Sequence, residues 1–111
     1  MKKLAIFGSG SGSNAENICA YFLGSKNVKI VCICTNNKNA FIVSRAKKLK
    51  IPIIYTTKKS LTNFTEIYKK MQQHGVEYII LAGFLLKIPL EMVKYYPRKI
   101  INIHPSLLPK Y

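Results

Sequence analysis

A chain of 111 residues, 49% of them hydrophobic, is long enough for one domain and too apolar to be disordered. No apolar run approaches the roughly 20 residues that a membrane-spanning helix needs. The apolar run near Met1 is short and leads directly into a glycine-rich segment, which argues against a secretory signal. We therefore expect a cytoplasmic protein. The formal net charge of +14 suits anionic ligands, but the lysines are scattered in pairs, so a solvated surface is favoured over a nucleic-acid surface.

Apolar runs alternate with amphipathic segments along the chain. Runs of β-branched, apolar residues predict strands that are buried on both faces of a parallel sheet, at Lys3–Phe7, Val28–Cys34, Ile53–Tyr55, Tyr78–Ala82 and Ile100–Ile103. Apolar residues at helical spacing, with capping signals, predict helices at Asn14–Leu23, Ala40–Leu49, from Ser60 or Thr62 to Gln73, and from Pro89 to about Tyr95. This order predicts an α/β fold with a Rossmann-like, doubly wound, mostly parallel sheet.

Three chemically distinctive segments lie at the carboxyl ends of predicted strands. They are the glycine–serine segment Gly8–Asn14, the segment Ala82–Ile88 and the segment Asn102–Tyr111. In doubly wound sheets, ligands bind outside the carboxyl ends of the strands, at the point where the strand order reverses. We therefore expect the functional site at this edge of the sheet.

The glycine–serine segment reads Gly-Ser-Gly-Ser-Gly-Ser-Asn from residue 8 to residue 14. Ser13 breaks the dinucleotide pattern, and no lysine follows the last glycine as a P-loop requires. Free backbone N–H groups at the start of a helix bind anions, so we expect a phosphate site on Gly12, Ser13 and Asn14. A purely structural turn is the alternative.

Asn102 and His104 lie two residues apart at the end of the last predicted strand, so their side chains are expected on one face. Such a pair suits acyl transfer to an amine. Asn102 can donate a hydrogen bond to a developing oxyanion, and an imidazole can move protons at neutral pH. Purely structural hydrogen bonds are the alternative.

Three motifs together resemble the phosphoribosylglycinamide formyltransferase family. They are the serine–glycine segment, Leu-Ala-Gly-Phe at residues 81–84, and Ile-Asn-Ile-His-Pro-Ser-Leu-Leu-Pro at residues 101–109. The resemblance implies transfer of a formyl group from 10-formyltetrahydrofolate to the amine of glycinamide ribonucleotide, in purine biosynthesis, without a metal. It implies that Asn102 and His104 are catalytic, that Gly12, Ser13 and Asn14 bind the substrate's phosphate, and that folate contacts a set of five residues: Leu85, Leu86, Lys87, Ile88 and Asn102.

The chain departs from the family pattern at three points. Leu86 and Thr65 stand where many members have an arginine, which affects the folate site, and Lys58 and Lys59 are nearby cations that could compensate. The catalytic aspartate of the family lies beyond position 111. We therefore expect residues 1–111 to be the N-terminal part of a single formyltransferase domain, truncated at its carboxyl end, and the isolated chain to have little or no transferase activity.

Other interpretations stay open on the sequence alone. A tRNA formyltransferase-like enzyme has similar folate machinery, but Pro105 and the serine–glycine segment argue against it and against the related deformylase. A basic nucleic-acid-binding module would use the net charge, but lacks a stripe of arginine and aromatic residues. We expect neither a nucleic-acid nor a membrane partner, and a homodimer stays open. The cysteines, at positions 19, 32 and 34, are expected to be reduced core residues that bind no metal.

Overall fold

The computed structural model describes residues 2–8, 17, 20–22, 24–84 and 86–102. The strands of this part are β1 (Lys2–Phe7), β2 (Val28–Thr35), β3 (Ile53–Tyr55), β4 (Tyr78–Leu81) and β5 (Ile100–Asn102). The helices are α1 (Phe41–Lys48), α2 (Lys58–Thr62), α3 (Thr65–Gln73) and α4 (Leu90–Tyr95), and residues 17 and 20–22 are also helical. The predicted α/β fold is confirmed.

The strands form one parallel sheet in the order β3-β2-β1-β4-β5. The chain builds outward from β1 through β2 to β3, then crosses to the other side of β1 for β4 and β5. The strand order therefore reverses between β1 and β4, which is the doubly wound arrangement that the alternation of elements predicts. The carboxyl ends of β1 and β4 are adjacent at this switch point.

Two hydrophobic clusters cover the two faces of the sheet, because successive side chains of each strand alternate between them. The first cluster includes Ile6 and Ile33 and packs beneath α1. The second includes Phe7 and receives the buried side chains of α2, α3 and α4, which are Leu61, Ile67, Met71 and Met92. Coverage of both faces explains why the central strands are apolar along their buried lengths, from Leu4 to Phe7 in β1 and from Ile30 to Cys34 in β2.

The predicted strand bounds agree with the structure to within one residue where the chain is described. Ile103, the last residue of the predicted fifth strand, and most of the predicted first helix lie outside the described residues. Within the described ranges, no helix has the length and apolar character needed to cross a bilayer.

The helix predicted from Ser60 or Thr62 to Gln73 is wrong in its start and its continuity. Thr57 is the actual cap: its Oγ1 accepts a hydrogen bond from Ser60 N, and Ser60 Oγ accepts one from Thr57 N, which completes a capping box. The chain then leaves helical geometry at Asn63, with φ −108° and ψ 78°. Thr62 Oγ1 donates to the carbonyl of Lys58, a back-bond that weakens a helix, and asparagine is a poor helix former.

Candidate active site

The carboxyl edge of the sheet brings the predicted site segments into one row. Phe7, the last residue of β1, pairs with Cys34 on one side and with Leu81 on the other, and Leu81 pairs with Asn102. Neighbouring strands lie about 4.8 Å apart, so roughly 10 Å separates the backbones of Phe7 and Asn102. Gly8, the first residue of the glycine–serine segment, continues the row through a 3.0 Å hydrogen bond from its N–H to the carbonyl of Cys34.

Asn102 is the candidate catalytic residue that the structure describes. It is exposed at the end of β5, in register with Leu81, which packs on the second cluster. Paired residues of a parallel sheet share a face, so Asn102 stands on the face that α2, α3 and α4 cover. No hydrogen bond joins its carboxamide to another described residue. Within the described residues, the exposed carboxamide therefore has no partner that a ligand would have to displace.

The segment after β4 is held against the end of β1. Ala82 N donates to the carbonyl of Phe7 at 2.8 Å, and the rings of Phe7 and Phe84 meet edge to face with their centroids 5.3 Å apart. Leu86 and Ile88 then pack on the second cluster. This packing places Phe84, Leu86 and Ile88 next to the switch point.

A cavity of about 850 Å³ lies between α2 and the segment that runs from residue 86 into α4. We call it the α2–α4 cavity. Its lining is mainly apolar and carries charged groups, and consists of Lys58, Leu61, Thr62, Leu86, Lys87, Ile88, Pro89, Leu90 and Glu91. A cavity of this size and character can take a ligand with a flat apolar body and a few polar groups.

The α2 wall is held by two features of its sequence. The capping box between Thr57 and Ser60 satisfies backbone donors at the start of the helix, and Leu61, 3% exposed, anchors the helix in the second cluster. Lys58 and Thr62 consequently face the cavity from a short but fixed helix.

The structure describes four of the predicted site residues and leaves five undescribed. Leu86, Lys87 and Ile88 line the α2–α4 cavity, and Asn102 lies at the sheet edge. The other predicted site residues, Gly12, Ser13, Asn14, Leu85 and His104, lie outside the described residues.

Sequence reasoning missed α2 as a wall of the site. The sequence identifies Lys58 only as a nearby cation and Thr62 only as a possible helix start, and it gives Leu61 no role in the site. The signal was present, because the segment that starts at Thr56 follows β3 and so also emerges at the carboxyl edge of the sheet. Thr65, the position where many family members have arginine, is exposed and does not line the cavity.

The cysteines of β2 are core residues. Cys32 and Cys34 are free and buried, as predicted, whereas Cys19 lies outside the described residues. Burial, followed by the neighbouring Cys32 thiol, raises the pKa of Cys34 well above its ordinary value, so the thiol stays protonated and unreactive. In the described ranges, no group of three or more histidine, cysteine, aspartate or glutamate side chains is placed to hold a metal ion.

Comparisons with known proteins cover the whole chain. The model of the formyl transferase family matches residues 2–111. The phosphoribosylglycinamide formyltransferase of Haemophilus influenzae is 37% identical over 100% of this chain and 55% of its own, and the chloroplastic one of Arabidopsis thaliana is 36% identical over 99% and 40%. The chain thus spans about half the length of the curated relatives it matches.

The fold comparison agrees. Glycinamide ribonucleotide transformylase 1 from Geobacillus kaustophilus superposes with a TM-score of 0.81 at 30% identity, over 100% of this chain and 62% of that one. Sequence and fold together show that the chain belongs to the formyl transferase family.

Proposed function

We propose that the protein containing this chain transfers a formyl group from 10-formyltetrahydrofolate to the amine of glycinamide ribonucleotide, a step of purine biosynthesis. The observation that carries the proposal is the row at the carboxyl edge, which places Asn102 two strands from the start of the glycine–serine segment. The names of the relatives that match the whole chain support the same reaction.

In this reaction, the amine nitrogen of the ribonucleotide attacks the formyl carbon and forms a tetrahedral intermediate. A proton passes from the attacking nitrogen to the folate nitrogen, the bond from the formyl carbon to the folate nitrogen breaks, and tetrahydrofolate leaves. Asn102 donates a hydrogen bond to the oxygen of the intermediate, and His104 transfers the proton. Two residues apart on a continuing strand, the two side chains would act on the same face.

The ribonucleotide binds at the β1 side of the row at the carboxyl edge, and the folate binds at the β4 side. The phosphate binds the backbone N–H groups of Gly12, Ser13 and Asn14, after β1. The folate contacts Leu85, Leu86, Lys87 and Ile88, which follow β4 in the chain. It also contacts Asn102. The described part of that segment lines the α2–α4 cavity, whose apolar wall suits an aromatic ligand.

The remaining parts of the proposal follow from small-molecule chemistry. Both substrates are small and diffuse freely, so the reaction needs neither a nucleic acid nor a membrane, and we propose a cytoplasmic enzyme. The net charge of +14 favours both substrates, since each is an anion.

The test is an acceptor assay with the complete protein. The protein and 10-formyltetrahydrofolate are incubated with glycinamide ribonucleotide, with methionyl-tRNA, or without an acceptor, and the formylated product or free formate is quantified. We expect formylated glycinamide ribonucleotide as the dominant product. Dominant formylation of tRNA, or dominant release of formate, would refute the proposed acceptor.

A matched pair of asparagine variants tests the site. Asn102→Ala should lower kcat/KM by roughly 10²- to 10³-fold, as loss of one oxyanion donor does. Asn27→Ala is the control, because Asn27 is exposed near the amino end of β2, on the opposite edge of the sheet. Equal activity of the two variants would remove Asn102 from the mechanism.

A further inference from the structure

Lysines that are scattered along the sequence are gathered by the fold at one edge of the sheet. Lys2 and Lys3 begin β1, Lys29 is the second residue of β2, and Lys99 directly precedes β5, and all four are exposed. We call these four residues the amino-edge row, because parallel strands begin at the same edge. This edge is opposite the candidate active site. Further exposed cations lie in the turns that lead into β2, β3 and β5: Lys26, Lys50 and Arg98.

The amino-edge row has little compensating negative charge. Glu77 precedes β4 at the same edge, but its carboxylate accepts a 3.0 Å hydrogen bond from the backbone N–H of Lys3. Within the described part of the chain, no carboxylate forms an ion pair with a lysine of the row. Lys3 and Lys29 are in register on neighbouring strands, so their charges share a face and repel one another. A bound anion would relieve this repulsion.

Tyr78 holds two ammonium groups of the row together. Lys2 Nζ lies 3.4 Å from Tyr78 Oη and 5.0 Å from the centroid of the ring, and Lys99 Nζ lies 5.7 Å from the same centroid. No more than about 11 Å can therefore separate the two nitrogens. The ring also packs against the first hydrophobic cluster. A ligand at this edge consequently meets two fixed cations rather than a free aromatic face on which a base could stack.

The shape of the row favours a flexible anionic chain. From β2 to β5 the row crosses three strand spacings, about 14 Å. A sheet twists by about 20–25° per strand, so the row follows a curved path that a rigid duplex would touch at few phosphates. A single strand can follow the curve and carries a charge on every nucleotide. An acidic protein segment would have to place several carboxylates along the same curve.

We propose that the amino-edge row binds the phosphates of a single-stranded nucleic acid without reading its sequence. The inference is independent of the proposed formyl transfer, which takes place at the opposite edge of the sheet. It departs from the expectation of no nucleic-acid partner, which rests on the spacing of the lysines along the sequence. A lysine acts on phosphate as a point charge, and the row lacks the arginines and free aromatic rings that contact bases.

Fluorescence anisotropy with the complete protein and a labelled oligouridine of about 12 nucleotides provides the test. We expect a dissociation constant in the micromolar range at about 50 mM salt. Four phosphate contacts on a single strand predict that the logarithm of the association constant falls with the logarithm of the salt concentration with a slope of about −3.

Two triple variants with equal net charge locate the binding surface. Lys2→Gln, Lys29→Gln and Lys99→Gln together should weaken binding at least tenfold at about 50 mM salt and reduce the slope by about 2. The matched control combines Lys38→Gln, Lys69→Gln and Lys70→Gln, which are exposed positions after β2 and on α3, and it should keep the slope. Arginine at the three row positions should restore binding, since it keeps the charge. The urea midpoint of each variant confirms that it folds.

The remaining outcomes would overturn the inference. Equal weakening by the two glutamine triples would show a general effect of net charge. Equally tight binding of a duplex of the same length would exclude selection of a single strand, and tighter binding of a polyglutamate peptide would assign the row to an acidic protein. A dissociation constant above about 100 µM for the unaltered protein at low salt would exclude a nucleic-acid site altogether.

Discussion

The capping box of α2 gives the sharpest stability prediction. Thr57→Ala removes the acceptor of the 3.0 Å hydrogen bond from Ser60 N, while the 2.8 Å bond from Thr57 N to Ser60 Oγ can persist. Ser60 N then becomes hydrated at an exposed helix start, so the net loss is that of one cap, about 1 kcal/mol in the free energy of unfolding. Urea unfolding followed by circular dichroism measures it, with an expected midpoint shift of roughly 0.5 M.

Thr62→Ala is the matched control for this prediction. The same chemical change five residues later removes the back-bond from Thr62 Oγ1 to the carbonyl of Lys58, at 2.9 Å. Alanine is the better helix former, so stability should stay unchanged or rise by up to about 0.5 kcal/mol. If Thr62→Ala destabilises the protein as much as Thr57→Ala does, the capping explanation for the start of α2 is wrong.

Two further predictions concern the backbone and the core. Gly75 has φ +72°, and an added Cβ would lie 3.2 Å from the Lys3 side chain, so Gly75→Ala should cost about 1–2 kcal/mol in thermal or urea unfolding. Gly24→Ala, whose Cβ would meet only a carbonyl at 3.8 Å, should cost less, and equal costs would contradict this explanation. Burial raises the pKa of Tyr96 from 10.0 to about 12, against the opposing hydrogen bond from Gln72. The folded pKa exceeds the unfolded one, so this contribution to stability is complete below pH 10 and is lost as the pH rises towards 12. Tyr96→Phe should make unfolding less pH-dependent in that range, and an unchanged dependence would show that Tyr96 is not the group responsible.

The strands were predictable because their chemistry is unambiguous. A strand buried on both faces has to be apolar along its buried length, and runs such as Val28–Cys34, with one lysine near its start, and Tyr78–Ala82 admit few other structures. The observed strands, Val28–Thr35 and Tyr78–Leu81, differ by one residue at an end. Parallel connections between them require crossovers, so the doubly wound class followed as well.

The break between α2 and α3 was not predictable from apolar spacing. Leu61, Phe64, Ile67 and Met71 are spaced as on one continuous helix, and all are buried. Local hydrogen bonds decide otherwise, because Thr57 caps earlier than expected and Thr62 back-bonds to Lys58. Periodicity reports which residues face the core, and it does not report where a helix is interrupted.

The site was only partly predictable. The sequence placed Asn102 at the carboxyl end of a strand and Leu86, Lys87 and Ile88 after one, and the structure brings these residues to the carboxyl edge and its adjoining cavity. The opposite wall of the cavity comes from α2, whose contribution depends on strand order. The sequence shows that the α2 segment follows β3 and so emerges at the carboxyl edge, but the strand order that brings it opposite the segment after β4 follows from packing over the whole sheet.

The most direct test of a formyl transfer site at this edge is the effect of His104→Ala on formyl transfer by the complete protein. His74→Ala is the matched control, because His74 ends α3. We predict that His104→Ala lowers kcat/KM for glycinamide ribonucleotide by about 10²- to 10⁴-fold, with an unchanged unfolding midpoint, while His74→Ala keeps the original rate. An unchanged kcat/KM in His104→Ala would contradict the proposed mechanism.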